Sequence, residues 1–186
     1  MAMNFSSRPA TPELIPDLFL VLKKCWGCWC MYFRSDPSEF KTAGSQLRKE
    51  WMESLVRSGR VPGIIGYWNG TPMAWCSLAP RPEFSRLDRS RFLKPVDDLP
   101  VWSIVCFWVN KEFRGQGVTE LLLKDAMDFG RSQGAKAFEA YPFDPAHSKG
   151  KSDHWYTGVM STFQRLGFCE VARRSPKRPI MRMIDP

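Results

Sequence analysis

The chain has 186 residues, 44% of them hydrophobic and 25% charged, which fits an ordinary globular domain and excludes a disordered or fibrous chain. No apolar run is long enough to cross a bilayer, and residues 1–12 lack the basic-then-apolar order of a signal peptide, so a cytoplasmic protein with six reduced cysteines is expected. The net charge of +8 would suit nucleic acid, anionic lipid or a phosphorylated small molecule, but no basic stripe alternates with aromatics and no zinc-finger spacing occurs; a field for a phosphorylated cofactor, or solubility alone, remains.

In chain order, residues 3–8 read as a first strand. Thr11 then caps a helix to about Lys24, with Pro12 at its first position. An aromatic and sulfur-rich stretch, Cys25-Trp26-Gly27-Cys28-Trp29-Cys30-Met31-Tyr32-Phe33, follows. Asp36-Pro37-Ser38-Glu39 opens a second helix, whose stripe of Phe40, Ala43, Leu47, Trp51 and Leu55 runs to a stop at Gly59. Residues 63–68 and 71–78 form a hairpin about Asn69-Gly70. Residues 79–100, rich in Pro, Arg and Asp, read as a long loop with a helical turn near 86–91. The apolar run 102–109 suits a central buried strand. A third helix spans 120–132 and stops at Gly134. Residues 136–141 are a strand, 144–153 a polar loop, 157–166 a short helix, and 168–174 and 180–184 closing strands. Cys76, Cys106 and Cys169 read as small buried hydrophobes. Without repeats or a linker, residues 1–186 are expected to form one mixed α/β domain.

The segment that carries chemistry joins the strand at 102–109 to the third helix through Arg114-Gly115-Gln116-Gly117-Val118-Thr119. Two glycines there let the backbone turn tightly and approach a ligand, and the helix N-terminus behind them offers unpaired N–H groups and a positive dipole end. Together they suit a pyrophosphate, with Arg114 adding charge. A plain strand-to-helix turn is the alternative.

On these residues the chain resembles the GCN5-related N-acetyltransferase (GNAT) superfamily, whose signature is Gln or Arg, two residues, Gly, any residue, then Gly or Ala. Arg114 and Gly117 match, and Thr119 stands where the family prefers Gly or Ala. The downstream Ser161-Thr162-Phe163-Gln164-Arg165-Leu166-Gly167-Phe168 is similar to the family's late helix ending in Leu-Gly-Phe. The resemblance implies a mixed, mostly antiparallel sheet flanked by helices, with two parallel strands, 102–109 and 136–141, splaying to admit pantetheine. It implies acetyl-CoA as co-substrate and transfer to a primary amine by direct attack. Main-chain groups of Phe107, Trp108 and Val109 would meet pantetheine and the acetyl carbonyl, and N–H groups from Arg114 to Thr119 the pyrophosphate. A homodimer is compatible with the family; a membrane or nucleic-acid partner is not expected.

The attack needs a base, an oxyanion donor and an acid or water for the thiolate. Glu139, on the same strand face as Ala137 and Tyr141, is the first base candidate, with an outward surface carboxylate as the alternative; Asp144, Asp153 and His154 could act through water. The position at which many family members carry an acidic Tyr is Phe163, so Tyr156 and Tyr141 are the substitute acids, or solvent. Trp26, Trp29, Tyr32 and Phe33 would wall the acceptor side. Cys25 and Cys28 have a metal-clamp spacing but no second pair, and no metal is expected; a packed thiol and aromatic cluster is favoured. Arg173 to Arg178 reads as a solvated end or a contact to the coenzyme's 3′-phosphate. The long 80–100 segment and the aromatic cluster favour an enclosed pocket and a small acceptor. A non-catalytic acyl-CoA sensor and a basic nucleic-acid-binding protein are the competing functions.

Overall fold

A computed structural model describes residues 4–147 and 156–185. In chain order the elements are β1 (Phe5–Pro9), α1 (Ile15–Leu22), α2 (Pro37–Thr42), α3 (Ser45–Arg57), β2 (Gly63–Trp68), β3 (Thr71–Pro80), α4 (Ser85–Asp88), β4 (Trp102–Val109), α5 (Val118–Ser132), β5 (Ala137–Ala140), α6 (Met160–Arg165), β6 (Cys169–Ala172) and β7 (Ile180–Ile184). The seven strands form one sheet in the order β1-β2-β3-β4-β5-β7-β6. Every neighbouring pair is antiparallel except β4 and β5.

Strand alternation sends side chains to two different cores. On one face Ile104, Phe138 and Ala140 meet Leu122, Leu123, Ala126 and Met127 of α5, which recur at helical spacing and form its buried stripe. On the other face Ile65, Tyr67 and Trp75 pack against Leu18 and Leu22 of α1 and Met52 and Val56 of α3. Further along that face Val105, Tyr141 and Ile180 are covered by Phe84, Leu87 and Leu93. The 79–100 segment is therefore a lid of buried apolar anchors, with its helical turn at Ser85–Asp88 rather than 86–91.

The parallel pair is short. Trp102, Ser103 and Ile104 face Phe138, Glu139 and Ala140, and β4 then continues to Val109 without β5. The two strands diverge at Val105.

Four expectations are corrected. Thr11 makes no side-chain cap; the chain enters α1 through a 3-10 turn at Pro12–Leu14, and the helix ends at Leu22. The single helix expected from Asp36 to Gly59 is two. Asp36 caps the first, its Oδ1 accepting from Ser38 N at 2.8 Å, but Ala43 is extended and Gly44 restarts the chain as α3. Arg48 of α3 reaches back to the Phe40 carbonyl at 2.7 Å, satisfying the end of α2; Phe40, Trp51 and Leu55 pack partly buried at the edge of the core, Leu47 is exposed, and Met52 and Val56 carry the fully buried α3 contact. The last helix starts at Met160, because Gly158 is left-handed and Val159 is extended in a bridge to Phe143. Cys169 is exposed, since β6 is the edge strand.

Candidate functional site

The site lies where β4 leaves β5. An antiparallel ladder turns alternate main-chain groups to opposite sides. Asn110 N donates to the Met73 carbonyl at 2.9 Å, which fixes Trp108 as hydrogen-bonded to Trp75 of β3 and turns Phe107 and Val109 toward the divergence. The three main-chain donors anticipated from the sequence are therefore not equivalent: Trp108 faces β3. Phe107 N donates to the Tyr156 carbonyl at 2.8 Å, while the Val109 carbonyl accepts from Arg114 Nε at 3.0 Å.

Tyr156 belongs to a segment that runs between the diverging strands. Phe143 N donates to the Gly158 carbonyl at 2.8 Å, and Met160 N to the Phe143 carbonyl at 3.0 Å. Gly158 has φ +79, and a Cβ there would sit 2.3 Å from Phe107 Cζ. Only glycine fits this passage, on both conformation and space.

From Val109 the chain passes through a 3-10 turn at Lys111–Phe113 into the Arg114–Thr119 turn. Gly115 and Gly117 take φ of +76 and +75. A Cβ at either would meet nothing within 4 Å, so glycine is required there by conformation and the space before α5 stays open. Gly117 is the N-cap of α5. Its carbonyl accepts from Glu120 and Leu121, leaving the preceding N–H groups of the first turn with no intrahelical acceptor. An open glycine turn of this kind at a helix start fits a pyrophosphate.

On the sheet face that carries α1 and α3, a cavity of about 300 Å³ reaches Cys106, Phe107 and Trp108 of β4. Trp26, Tyr32 and Phe33 line it, with Phe40 and Tyr156. Trp26 is 72% exposed and forms the rim. Trp29 does not line it: its indole Nε1 donates to Ser45 Oγ at 2.9 Å and its ring is buried against Phe19. Trp26, Trp29 and Cys30 all have positive φ, as does Gly27; for non-glycine residues such backbone costs on the order of 1 kcal/mol or more each and collects at functional sites.

The thiols of Cys25, Cys28, Cys30 and Cys106 also line the cavity, and all are free. Cys30 Sγ accepts from the Trp75 indole at 2.9 Å, and the Cys106 thiol beside it is the largest influence drawing Cys30 below the usual thiol range. Burial pushes Cys28 up to about 11. Among the described residues no group of three or more His, Cys, Asp or Glu is placed to hold a metal ion.

The carboxylate anticipated as base is not at this cavity. Glu139 is 1% exposed. Its Oε1 accepts from Arg182 Nε at 3.0 Å and Nη2 at 2.7 Å, and its Oε2 from Arg81 Nη1 at 3.4 Å and the Tyr141 hydroxyl at 3.0 Å. With both oxygens engaged inside the protein, Glu139 is neither a surface carboxylate nor free to take a proton from an amine. Tyr141 is locked in the same network, its hydroxyl 2.7 Å from both Arg81 Nη1 and Ser103 Oγ; burial, then the Glu139 charge, holds its phenol above the usual range. Asp144 is bound by Arg173 at 2.7 Å and His147 at 3.1 Å. Asp153 and His154 lie outside the described residues. Arg173 is paired to Glu170 and Asp144, and Arg174 donates to the carbonyls of Lys94 and Pro95, so these arginines are tied into the fold at an exposed surface.

The residue that stays at the cavity is Tyr156. Burial pushes its phenol above the usual value, and the Arg178 guanidinium beside it pulls the other way. Arg48 was not singled out from the sequence, and Phe40 and Cys106 were read only as an apolar stripe residue and a buried hydrophobe. Arg48 is held at the cavity by the carbonyls of Gly27 and Phe40, contacts that reach 21 and 8 residues along the chain.

An open mixed sheet, parallel strands parting at its centre and a glycine turn leading into a helix beside the gap define an acyl-coenzyme A transferase architecture. Residues 25–149 match the acetyltransferase (GNAT) family, and the chain belongs to that family. No curated protein matches it. Among solved structures it resembles PaiA N-acetyltransferase from Thermoplasma acidophilum in complex with coenzyme A, at 13% identity and TM-score 0.58 over 98% of this chain and 99% of that one. It also resembles aminoglycoside N-acetyltransferase AAC(6')-Iy in complex with CoA, at 15% identity and TM-score 0.58 over 94% of each chain. A third similar structure is ribosomal-protein-alanine N-acetyltransferase from Brucella melitensis, at 15% identity and TM-score 0.56 over 96% of this chain and 99% of that one. These likenesses establish the fold. No helix among the described residues is long and apolar enough to cross a membrane.

Proposed function

We propose that the protein is a cytoplasmic acetyl-CoA-dependent N-acetyltransferase, acting as one domain, that acetylates the primary amine of a small molecule by direct attack. The observation that carries this reading is the Arg114–Thr119 turn, with two left-handed glycines opening on the start of α5 beside the divergence of β4 and β5. N–H groups of this turn would hold the pyrophosphate, and that of Val109, on the open side of β4, would meet pantetheine. Bound acetyl-CoA supplies the thioester acyl group. The aromatic lining and small volume of the cavity support a small acceptor; the names of the neighbours, one of an aminoglycoside and one of a ribosomal-protein-alanine enzyme, point in different directions and carry no acceptor over.

Tyr156 suits the acid. Its raised phenol keeps its proton at neutral pH, ready for a leaving thiolate. No carboxylate or histidine among the described residues lines the cavity, so the amine proton passes to solvent. A second reading, a sensor that binds acyl-CoA without turnover, is favoured by one contact: the Tyr156 carbonyl already occupies the Phe107 N–H.

Calorimetric titration of acetyl-CoA into wild type and Gly117→Trp, with folding checked by circular dichroism, tests the reading. Binding by wild type, lost in the folded variant, supports the cradle; a folded wild type that fails to bind overturns it. Thiol release across a panel of amines then separates the enzyme from the sensor.

A further inference from the structure

The cavity beside β4 carries an unusual charge balance. Arg48 is the one charged residue among its described lining. Its Nη1 and Nη2 donate to the carbonyls of Gly27 at 3.3 Å and Phe40 at 2.7 Å, and its guanidinium stacks 3.9 Å over the Phe40 ring. Its Nε is buried without a hydrogen-bond partner among the described residues.

Two more guanidiniums stand behind the same rings. Arg86 lies 4.0 Å over Tyr32, and its Nε and Nη2, the two donors of one fork, are both buried and unpartnered among the described residues. Arg178 sits against Tyr156 and donates to the Tyr141 carbonyl and Thr157 Oγ1. No carboxylate among the described residues pairs with Arg48, Arg86 or Arg178. The acids nearby are already engaged: Asp36 with Arg89, Glu83 with Arg34 and Asp88 with Arg81.

Cations buried near apolar rings without a counter-charge are costly. They leave a positive potential in a space of low dielectric, which disfavours an acceptor bearing several positive charges. A carboxylate matches a guanidinium fork in plane and neutralises it, while the rings of Tyr32, Phe33, Phe40 and Trp108 suit an apolar body. We propose that the acceptor is an amino-acid-like monoamine, with an aromatic or branched apolar body enclosed by these rings and a carboxylate turned toward Arg48, with Arg86 behind it. This rests on reading the cavity as the acceptor side of an acetyltransferase.

The test uses product analogues, so that it does not depend on turnover. N-acetylphenylalanine and N-acetylphenylalaninamide, matched apart from the charge, are titrated into the full chain by calorimetry. The acid is expected to bind at least about tenfold more tightly than the amide. That preference should collapse in Arg48→Met and be partly kept in Arg48→Lys. Equal affinities, a preference for the amide, or binding of neither overturns the proposal, as does an undiminished preference in folded Arg48→Met. Should Arg48→Met fail to fold, Arg86→Gln decides: a weakened preference supports the proposal and an unchanged one overturns it. Acetyl-CoA is titrated in parallel. Failure of acetyl-CoA alone to bind sinks the acetyltransferase reading and leaves the carboxylate preference standing; acetyl-CoA binding without an acid–amide difference sinks only the carboxylate site.

Discussion

Glu139 illustrates how a side chain that looks reactive in a sequence becomes structural. Its two oxygens balance Arg182 across the β5–β7 pairing and Arg81 in the turn after β3, and each arginine holds a second, more exposed acid, Asp97 and Asp88 respectively. Glu139→Gln keeps the shape but removes the charge between two guanidiniums. It is expected to cost roughly 1–3 kcal/mol by urea denaturation, while kcat of the folded enzyme stays within about twofold; a general base would cost 100-fold or more. Tyr156→Phe should show the opposite pattern. It keeps the carbonyl bonded to Phe107 and removes only the phenol proton, so kcat for acetyl transfer falls on the order of 100-fold with KM for acetyl-CoA little changed. An unaltered kcat in the folded variant would assign the proton to solvent. At this scale the glycine turn was legible because its chemistry is local: Gly115 and Gly117 permit the left-handed backbone that the turn before α5 adopts. The partners of Glu139 were not, since Arg81 and Arg182 lie 58 and 43 residues away along the chain. Cys169 was misread for the same reason: an apolar neighbourhood in sequence does not say which strand ends the sheet.

Among the elements, the extended runs were read most closely. β2, β4 and β7 are mostly apolar and end where the sequence expects. Helix boundaries shifted wherever a long-range contact competed with local propensity, as when Arg48 reaches over the break to the Phe40 carbonyl. That break offers a clean test. Gly44 precedes α3 with φ −70 and no side-chain cap, and a Cβ there would meet nothing within 4 Å. Gly44→Asp adds an N-cap acceptor and removes glycine's freedom in the unfolded chain, so it should stabilise the protein by about 0.5–1 kcal/mol, seen as a raised Tm. Gly158→Ala at the other end of the site should act in reverse. Its methyl meets Phe107 in a left-handed conformation, and a loss of about 2–3 kcal/mol is expected. A neutral Gly158→Ala would mean that the segment between β4 and Phe143 yields easily.

Across the whole molecule, the two ends of the pH scale act on different groups. Arg182 holds Asp97 below the usual carboxylate range, Arg173 does so for Glu170, and Arg131 for Asp185. For Asp144 burial acts upward, but Arg173 and His147 outweigh it and the net direction is down. Groups lowered on folding contribute stability that is complete above their unfolded values, near pH 4, and lost as pH falls through the folded ones. The loss is reinforced because neutralising the 19 acidic residues leaves 27 lysines and arginines to repel one another. At high pH the sign reverses. Burial raises the thiols of Cys25 and Cys76 and the phenols of Tyr67 and Tyr141. Groups raised on folding contribute fully below their unfolded values, about 8.5 for a thiol and about 10 for a phenol, and that stability drains as pH rises toward the folded ones. The Tm under reducing conditions should therefore be level from about pH 5 to 8 and fall on both sides, more steeply in acid, where ion-pair loss and charge repulsion act together. A Tm unchanged down to pH 3 would mean that the arginine–carboxylate pairs add nothing to the fold; one unchanged up to pH 10 would mean that water reaches the buried thiols beneath β3 and α1.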